Sequence, residues 1–173
     1  MVEMVVVGAI VVIGCAVAIP VTMRMVTDAR GDSAVVMTAT FLENARNRAV
    51  AERRNMVVTF PTENTIQVSR VEVPSGTQTV VASLMLEGNE EFVREGLPIT
   101  PDEFPGDDAI NFTGPEPVMF TSDGSFIDAQ GDVTNGTIYV ARPGDVFTAR
   151  AVTIWGTTGM LRTWKWRGAE WRQ

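Results

Sequence analysis

From Met4 to Met23 the chain runs twenty residues, MVVVGAIVVIGCAVAIPVTM, without a charged side chain, bracketed by Glu3 and Arg24. As a helix rising about 1.5 Å per residue, the run spans about 30 Å, the thickness of a bilayer core. It is apolar on all sides, which predicts burial in lipid or in protein. The pattern then changes. Val36, Met37, Phe41, Leu42, Ala45 and Ala49 recur near a period of 3.6, with Arg46, Arg48, Glu52 and Arg53 between them. That spacing predicts an amphipathic continuation, so residues 1–54 read as one long helix. Pro20 removes a backbone hydrogen bond and Gly14 adds freedom, which predicts a kink or a melted stretch between them. Gly31-Asp32 predicts a second bend.

After Arg54 the period shortens to two. Met56–Phe60 and Thr65–Val73 flank Pro61-Thr62-Glu63-Asn64 and read as a hairpin, with a third strand over Thr77–Leu86. Residues 87–117 are rich in Glu, Asp, Pro and Gly and read as a long, mostly irregular insert. Strands resume at Pro117–Phe120, Thr137–Arg142 and Ala149–Trp155. A Gly156-Thr157-Thr158-Gly159 turn leads to a last strand, Met160–Lys165. The expected fold class is α+β, a long N-terminal helix packed on an antiparallel sheet. The expected division is an apolar segment, 1–24, and a globular domain, 25–173. Within that domain the amphipathic helix is 25–54 and the β-rich part 55–173.

Composition narrows the function classes. The chain carries 21 acids, 14 bases and no histidine. Without histidine there is no Ser-His-Asp or Cys-His catalysis and no His-ligated zinc. Cys15 is the lone cysteine and lies in the apolar run, so no intrachain disulfide forms. Val12-Ile13-Gly14-Cys15 fits a lipobox, but no basic segment precedes it, and Cys15 reads better as a small packing residue. The net charge of −7 argues against general nucleic-acid affinity. The charge is uneven, however: twelve acids and one base fall in residues 85–132, while residues 142–173 hold six bases and two acids.

Glu3 sets this apolar run apart from a plain anchor. A carboxylate at the head of an apolar rod must reach the interface or find a cation, because burying it unpaired is costly. Met1-Val2-Glu3-Met4-Val5-Val6-Val7, followed by Pro20 seventeen residues after Glu3, resembles the start of the type IV pilin family, which includes the pseudopilins of type II secretion. Phe41–Val50 with Arg54-Asn55-Met56-Val57-Val58, the Phe120-Thr121-Ser122-Asp123-Gly124 turn, and Arg150–Ile154 with Gly159–Arg162 resemble the H-type minor pseudopilin and FimT-like branch. In that family the glutamate is fifth in the mature chain. The spacing here predicts two further residues ahead of Met1, or a start other than Met1. The resemblance implies a structural, non-enzymatic subunit without a cofactor. Its apolar helix would sit in the bacterial inner membrane before assembly. Afterwards it would form the core of an extracellular filament or a periplasmic pseudopilus, built with copies of itself or other pilins by an assembly machinery. Glu3 would pair with a neighbour's N-terminal amine, and Gly14 and Pro20 would let the helix loosen to pack.

Three further features carry their own chemistry. Arg162, Trp164, Lys165, Trp166, Arg167 and Arg172 interleave bases and aromatics, as a strand gripping DNA would, through stacking and phosphate neutralisation. The FimT-like resemblance adds to that reading, which makes the chain a DNA-binding minor subunit at a filament tip. The competing reading is an edge strand with tryptophans packed inward and arginines outward. Asp102, Glu103, Asp107 and Asp108 offer oxygens for calcium, without EF-hand spacing; a solvated acidic loop is the alternative. Asn111-Phe112-Thr113 and Asn135-Gly136-Thr137 are sequons. A different class of function, a single-pass membrane-anchored binding domain, would use the same anchor without forming fibres.

Overall fold

A computed structural model describes the backbone of residues 2–173 and the side chains of residues 24–173. One helix, α1, spans Val2–Glu52. Ten strands follow: β1 Met56–Thr62, β2 Thr65–Val71, β3 Gln78–Met85, β4 Ile110–Phe112, β5 Val118–Phe120, β6 Phe126–Ile127, β7 Gly136–Arg142, β8 Asp145–Trp155, β9 Met160–Trp166 and β10 Trp171–Arg172. They form two antiparallel five-stranded sheets, ordered β3-β2-β1-β5-β6 and β10-β9-β8-β7-β4. The expected α+β class, a helix packed on antiparallel sheet, is the observed one. β4, β6 and β10 are two or three residues long, too short to leave a periodic trace in the sequence.

The buried stripe of α1 is Gly31, Ala34, Val35, Thr38, Ala39, Leu42, Ala45 and Ala49, stepping by three and four. Val36, expected on this face, is 58% exposed. The fully buried position one turn before Leu42 is Thr38, whose hydroxyl donates to the Ala34 carbonyl at 2.8 Å. That local bond satisfies the hydroxyl and lets a polar residue sit in the core. The helix runs unbroken through Gly31-Asp32.

Two cores result. The first lies between α1 and the sheets and groups Leu42 with Met56, Ile66 and Val68 of one sheet and Ile138, Val152 and Ile154 of the other. Phe120 and Phe126 of the first sheet are in tilted contact, 4.7 Å between centroids. The second core lies on the far face of the second sheet: Tyr139, Ala141, Ala149, Ala151, Trp164, Trp166 and Trp171 under Leu97 of the insert. β7 and β8 are therefore buried on both faces, and their burial is near-continuous although Thr137, Thr148, Arg150 and Thr153 are among the covered residues. The insert remains largely irregular, yet it covers this face. Arg94 fastens it by donating to the carbonyls of Leu97 at 2.8 Å and Gly106 at 2.5 Å, and Phe104 meets Trp155 edge to face.

Candidate functional site at the junction of helix and head

Three polar ties fix α1 to the head along its length. The first is the strongest. Arg150 on β8 and Lys165 on β9 are direct cross-strand partners, so they point side by side from one face of the sheet. Asp28 and Asp32 are one turn apart on α1 and face them. Arg150 Nε donates to Asp32 Oδ1 at 2.7 Å and Nη2 to Asp28 Oδ1 at 2.5 Å. Lys165 Nζ donates to Asp28 Oδ2 and Asp32 Oδ2, each at 2.8 Å. Arg150 is wholly buried, and its remaining donors meet the Phe147 and Ala149 carbonyls. Its charge is thus matched on every side, the condition under which a buried cation is tolerated.

The aspartates are half exposed. Partial burial pushes their carboxyls up, but the hydrogen bonds from Lys165 and Arg150 outweigh it and hold both below the usual aspartate range. Glu90 lies nearby with the opposite balance. It is buried, and burial pushes its carboxyl up against the pull of Arg150 and Arg142.

Gly31, between the two aspartates, is what lets the helix come this close. A Cβ there would stand 2.7 Å from the Thr148 carbonyl oxygen on β8. The residue read as a bend is a contact point.

The second tie is Arg46. Its Nε donates to the Gly124 carbonyl at 3.0 Å, and its side chain lies against Gly159. Gly124 and Gly159 both hold left-handed φ, at 86° and 61°, which favours glycine at both turns. Three separated segments of the family resemblance, Ala45-Arg46, Thr121–Gly124 and Gly159, thus meet at one point. The third tie is Glu52, which accepts from Arg48 at 3.1 Å and Arg70 at 3.0 Å at the end of α1.

The basic tail is arranged otherwise than a DNA-gripping strand requires. Trp164, Trp166 and Trp171 are buried, with Trp166 and Trp171 in edge contact at 5.3 Å. Trp164 Nε1 donates to Thr153 Oγ1, and Trp171 Nε1 to the Pro98 carbonyl. Lys165 belongs to the aspartate cluster. Arg162 is paired to Asp102 at 2.9 Å and lies over the Trp155 ring. Arg172 pairs with Glu170, and Arg167 is exposed. This geometry favours the packed-strand reading of the tail.

The four insert acids are not drawn together. Asp102 is buried against Thr153 and Arg162, Asp107 pairs with Arg94 in solvent, and Glu103 and Asp108 are exposed. Among the described residues no group of three or more His, Cys, Asp or Glu side chains is placed to hold a metal. The Asn111 side chain is turned inward, bonded to the Asp108 backbone, and Asn135 Oδ1 accepts from the Gly156 N–H. The side chains of Glu3, Gly14, Cys15 and Pro20 lie outside the described residues; the backbone stays helical from Gly14 to Pro20, so the melted stretch expected there does not form. No helix among the described residues is long and apolar enough to cross a membrane.

Nothing in the sequence marks Asp28 and Asp32 as a pair that meets cations; Gly31-Asp32 reads there only as a bend. Their i,i+4 spacing marks one helix face, but their partners lie more than a hundred residues away, and Arg150 and Lys165 stand in segments that carry other signals, the family resemblance and the basic tail.

No protein-family model and no curated protein matches the sequence. Solved structures do match in shape. The minor pseudopilin EpsH from the type 2 secretion system of Vibrio cholerae aligns over 79% of this chain and 97% of its own, at 12% identity and TM-score 0.54. The type IV minor pilin FimU of Pseudomonas aeruginosa PAO1 aligns over 82% and 92%, at 14% identity and TM-score 0.53. At such identities the likeness is one of fold, and the chain has the fold of the minor type IV pilins and minor pseudopilins.

Proposed function

We propose that the chain is a structural subunit of a type IV pilus-like filament, a member of the type IV pilin and pseudopilin family on its H-type and FimT-like side. The observation that carries this reading is helix α1. One helix holds the apolar run at one end and supplies the core stripe of the head at the other. Bundled side by side, such helices bury their apolar ends together and leave the heads outside. Glu3, ahead of the run, pairs with the N-terminal amine of a neighbour, which removes the cost of burying it alone. Before assembly the same run holds the subunit in the bacterial inner membrane. Afterwards the chain stands in an extracellular filament or a periplasmic pseudopilus with copies of itself or other pilins. The head has no assigned catalytic role.

The test is Glu3→Ala. The head is expected to stay folded while incorporation into filaments drops, read by immunoblot of sheared filaments. Filaments with normal amounts of the variant would remove the role of Glu3. Negative-stain images of sheared surface material test the wider reading: fibres that never contain the chain would favour a membrane-anchored binding domain.

A further inference from the structure

β3 is the one long strand among the described residues that ends a sheet with its outer edge unpaired. Its eight residues, Gln78-Thr79-Val80-Val81-Ala82-Ser83-Leu84-Met85, include no charge, no proline and no glycine. Sheet edges are normally blunted by charge, proline or cover, because a free row of backbone donors and acceptors recruits other strands. Here the blunting is slight. A bulge lies at Val80–Ala82, and Arg48 Nη1 donates to the Val81 carbonyl at 3.3 Å. Beyond that point the register fixes which groups are free. The Leu86 N–H donates to the Asn64 carbonyl at 2.8 Å. In an antiparallel ladder bonded positions alternate, so Leu84 and Ala82 face β2, while Ser83 and Met85 turn their N–H and C=O groups outward.

On the helix side, beside this edge, runs a mainly apolar groove of about 500 Å³ lined by Phe41, Ala45, Ala51, Val68 and Ala82, together with Asn44, Asn47 and Arg48 of α1. An open ladder with an apolar groove alongside is the arrangement that receives an added strand. The ladder supplies main-chain bonds, and the groove takes alternate side chains. Charge at one end sets a direction. Met56, Arg70 and Thr79 share one row across the sheet, so the start of β3 lies at the end of α1, near Arg53 and Arg54. Arg70 is held by Glu52 and Glu72. Arg53 is exposed and has no ion-pair partner among the described residues.

We propose that β3 is a docking edge for an extended segment of a partner polypeptide that is uncharged except at its C-terminal end. The segment adds antiparallel as a sixth strand, seats alternate apolar side chains in the groove beside α1, and ends at its C-terminus in acids facing Arg53 and Arg54. This goes beyond the filament reading and does not depend on it, so its failure would leave the Glu3 experiment untouched.

The probe is an acetylated nonapeptide of alternating threonine and valine that ends in two aspartates, titrated into the full chain in detergent at low salt. Saturable binding is expected below about 1 mM, with slowed hydrogen exchange at the Ser83 and Met85 amides. Ser83→Pro removes an outward N–H without touching the β2 ladder, and Ala82→Arg fills the groove without touching the backbone. Each is expected to weaken binding about tenfold or more. A peptide ending in two lysines is expected to bind at least about threefold more weakly. No saturation by the aspartate peptide, protection elsewhere than β3, full binding by both variants, or equal binding of the lysine peptide would overturn the proposal.

Discussion

Arg150 and Lys165 stand opposite each other on adjacent strands, and both reach the same turn of helix α1. Two cations side by side on a sheet would repel each other if left alone. Asp28 and Asp32 convert that repulsion into attachment, and one of the four charges, on Arg150, has no access to water.

Asp28→Asn with Asp32→Asn leaves Arg150 buried with no counter-charge. Breaking a buried pair from one side costs about 3–5 kcal/mol. The aspartates are half exposed, so solvent already screens part of the attraction. The expected loss is about 2 kcal/mol, read as a lower urea midpoint with an unchanged slope.

The same cluster sets a pH dependence. Asp28 and Asp32 titrate lower in the folded chain than in the unfolded one. Their stabilisation is full above the unfolded value of about 3.9 and is lost as pH falls through the depressed folded values. Asp123 acts in the same sense: hydrogen bonds from Thr121 and Ser125 pull its carboxyl down to about 2. Glu90, raised by burial, acts in the opposite sense, its cost growing as pH rises past the ordinary glutamate range. Urea midpoints should therefore drop below about pH 4, less steeply in the double-asparagine variant. Glu90→Gln should hold or raise stability at neutral pH.

Gly31→Ala tests the close approach of helix and strand. In an open helix interior the change would gain about 1 kcal/mol from propensity. Here the new methyl meets a backbone carbonyl at 2.7 Å, and overpacking of that kind costs about 1–3 kcal/mol. A lower melting temperature is expected; a higher one would show that α1 can move off β8 freely.

The tail separates packing from recognition. Lys165→Ala is expected to lower the melting temperature, and Arg167→Ala to leave it unchanged, because only Lys165 is bonded to the helix. A gel shift of the full chain in detergent at low salt, compared with Arg162, Lys165 and Arg167 all changed to Ala, is expected to show no salt-sensitive difference. The tryptophans that would stack on bases are buried.

Local patterns were legible in the sequence. The 3.6 period of Leu42, Ala45 and Ala49 and the alternation of Met56–Phe60 reflect burial on one face, and they placed the helix and the longer strands. Relationships set by tertiary packing were not. Val36 fits the helical period as well as Thr38 does, and only the sheet beneath decides which is covered. Trp164 and Lys165 are neighbours in the chain, yet they turn to opposite sides of the sheet. One enters a core that needs the insert as its cover, and the other meets acids 133 and 137 residues away. The insert reads as polar because its covering side chains, Leu97 and Phe104, are few among its acids.

Helix α1 is also a handle. A pull along its axis from the apolar end is taken in shear by the stripe from Gly31 to Ala49, and the salt links at Asp28 and Asp32 are loaded first because they lie at the margin of the head. Failure under tension should begin there, as the opening of one helical turn, before the Leu42 layer yields. Low salt, or any pH above the aspartate range, would then keep the joint between rod and head at full strength without altering the core.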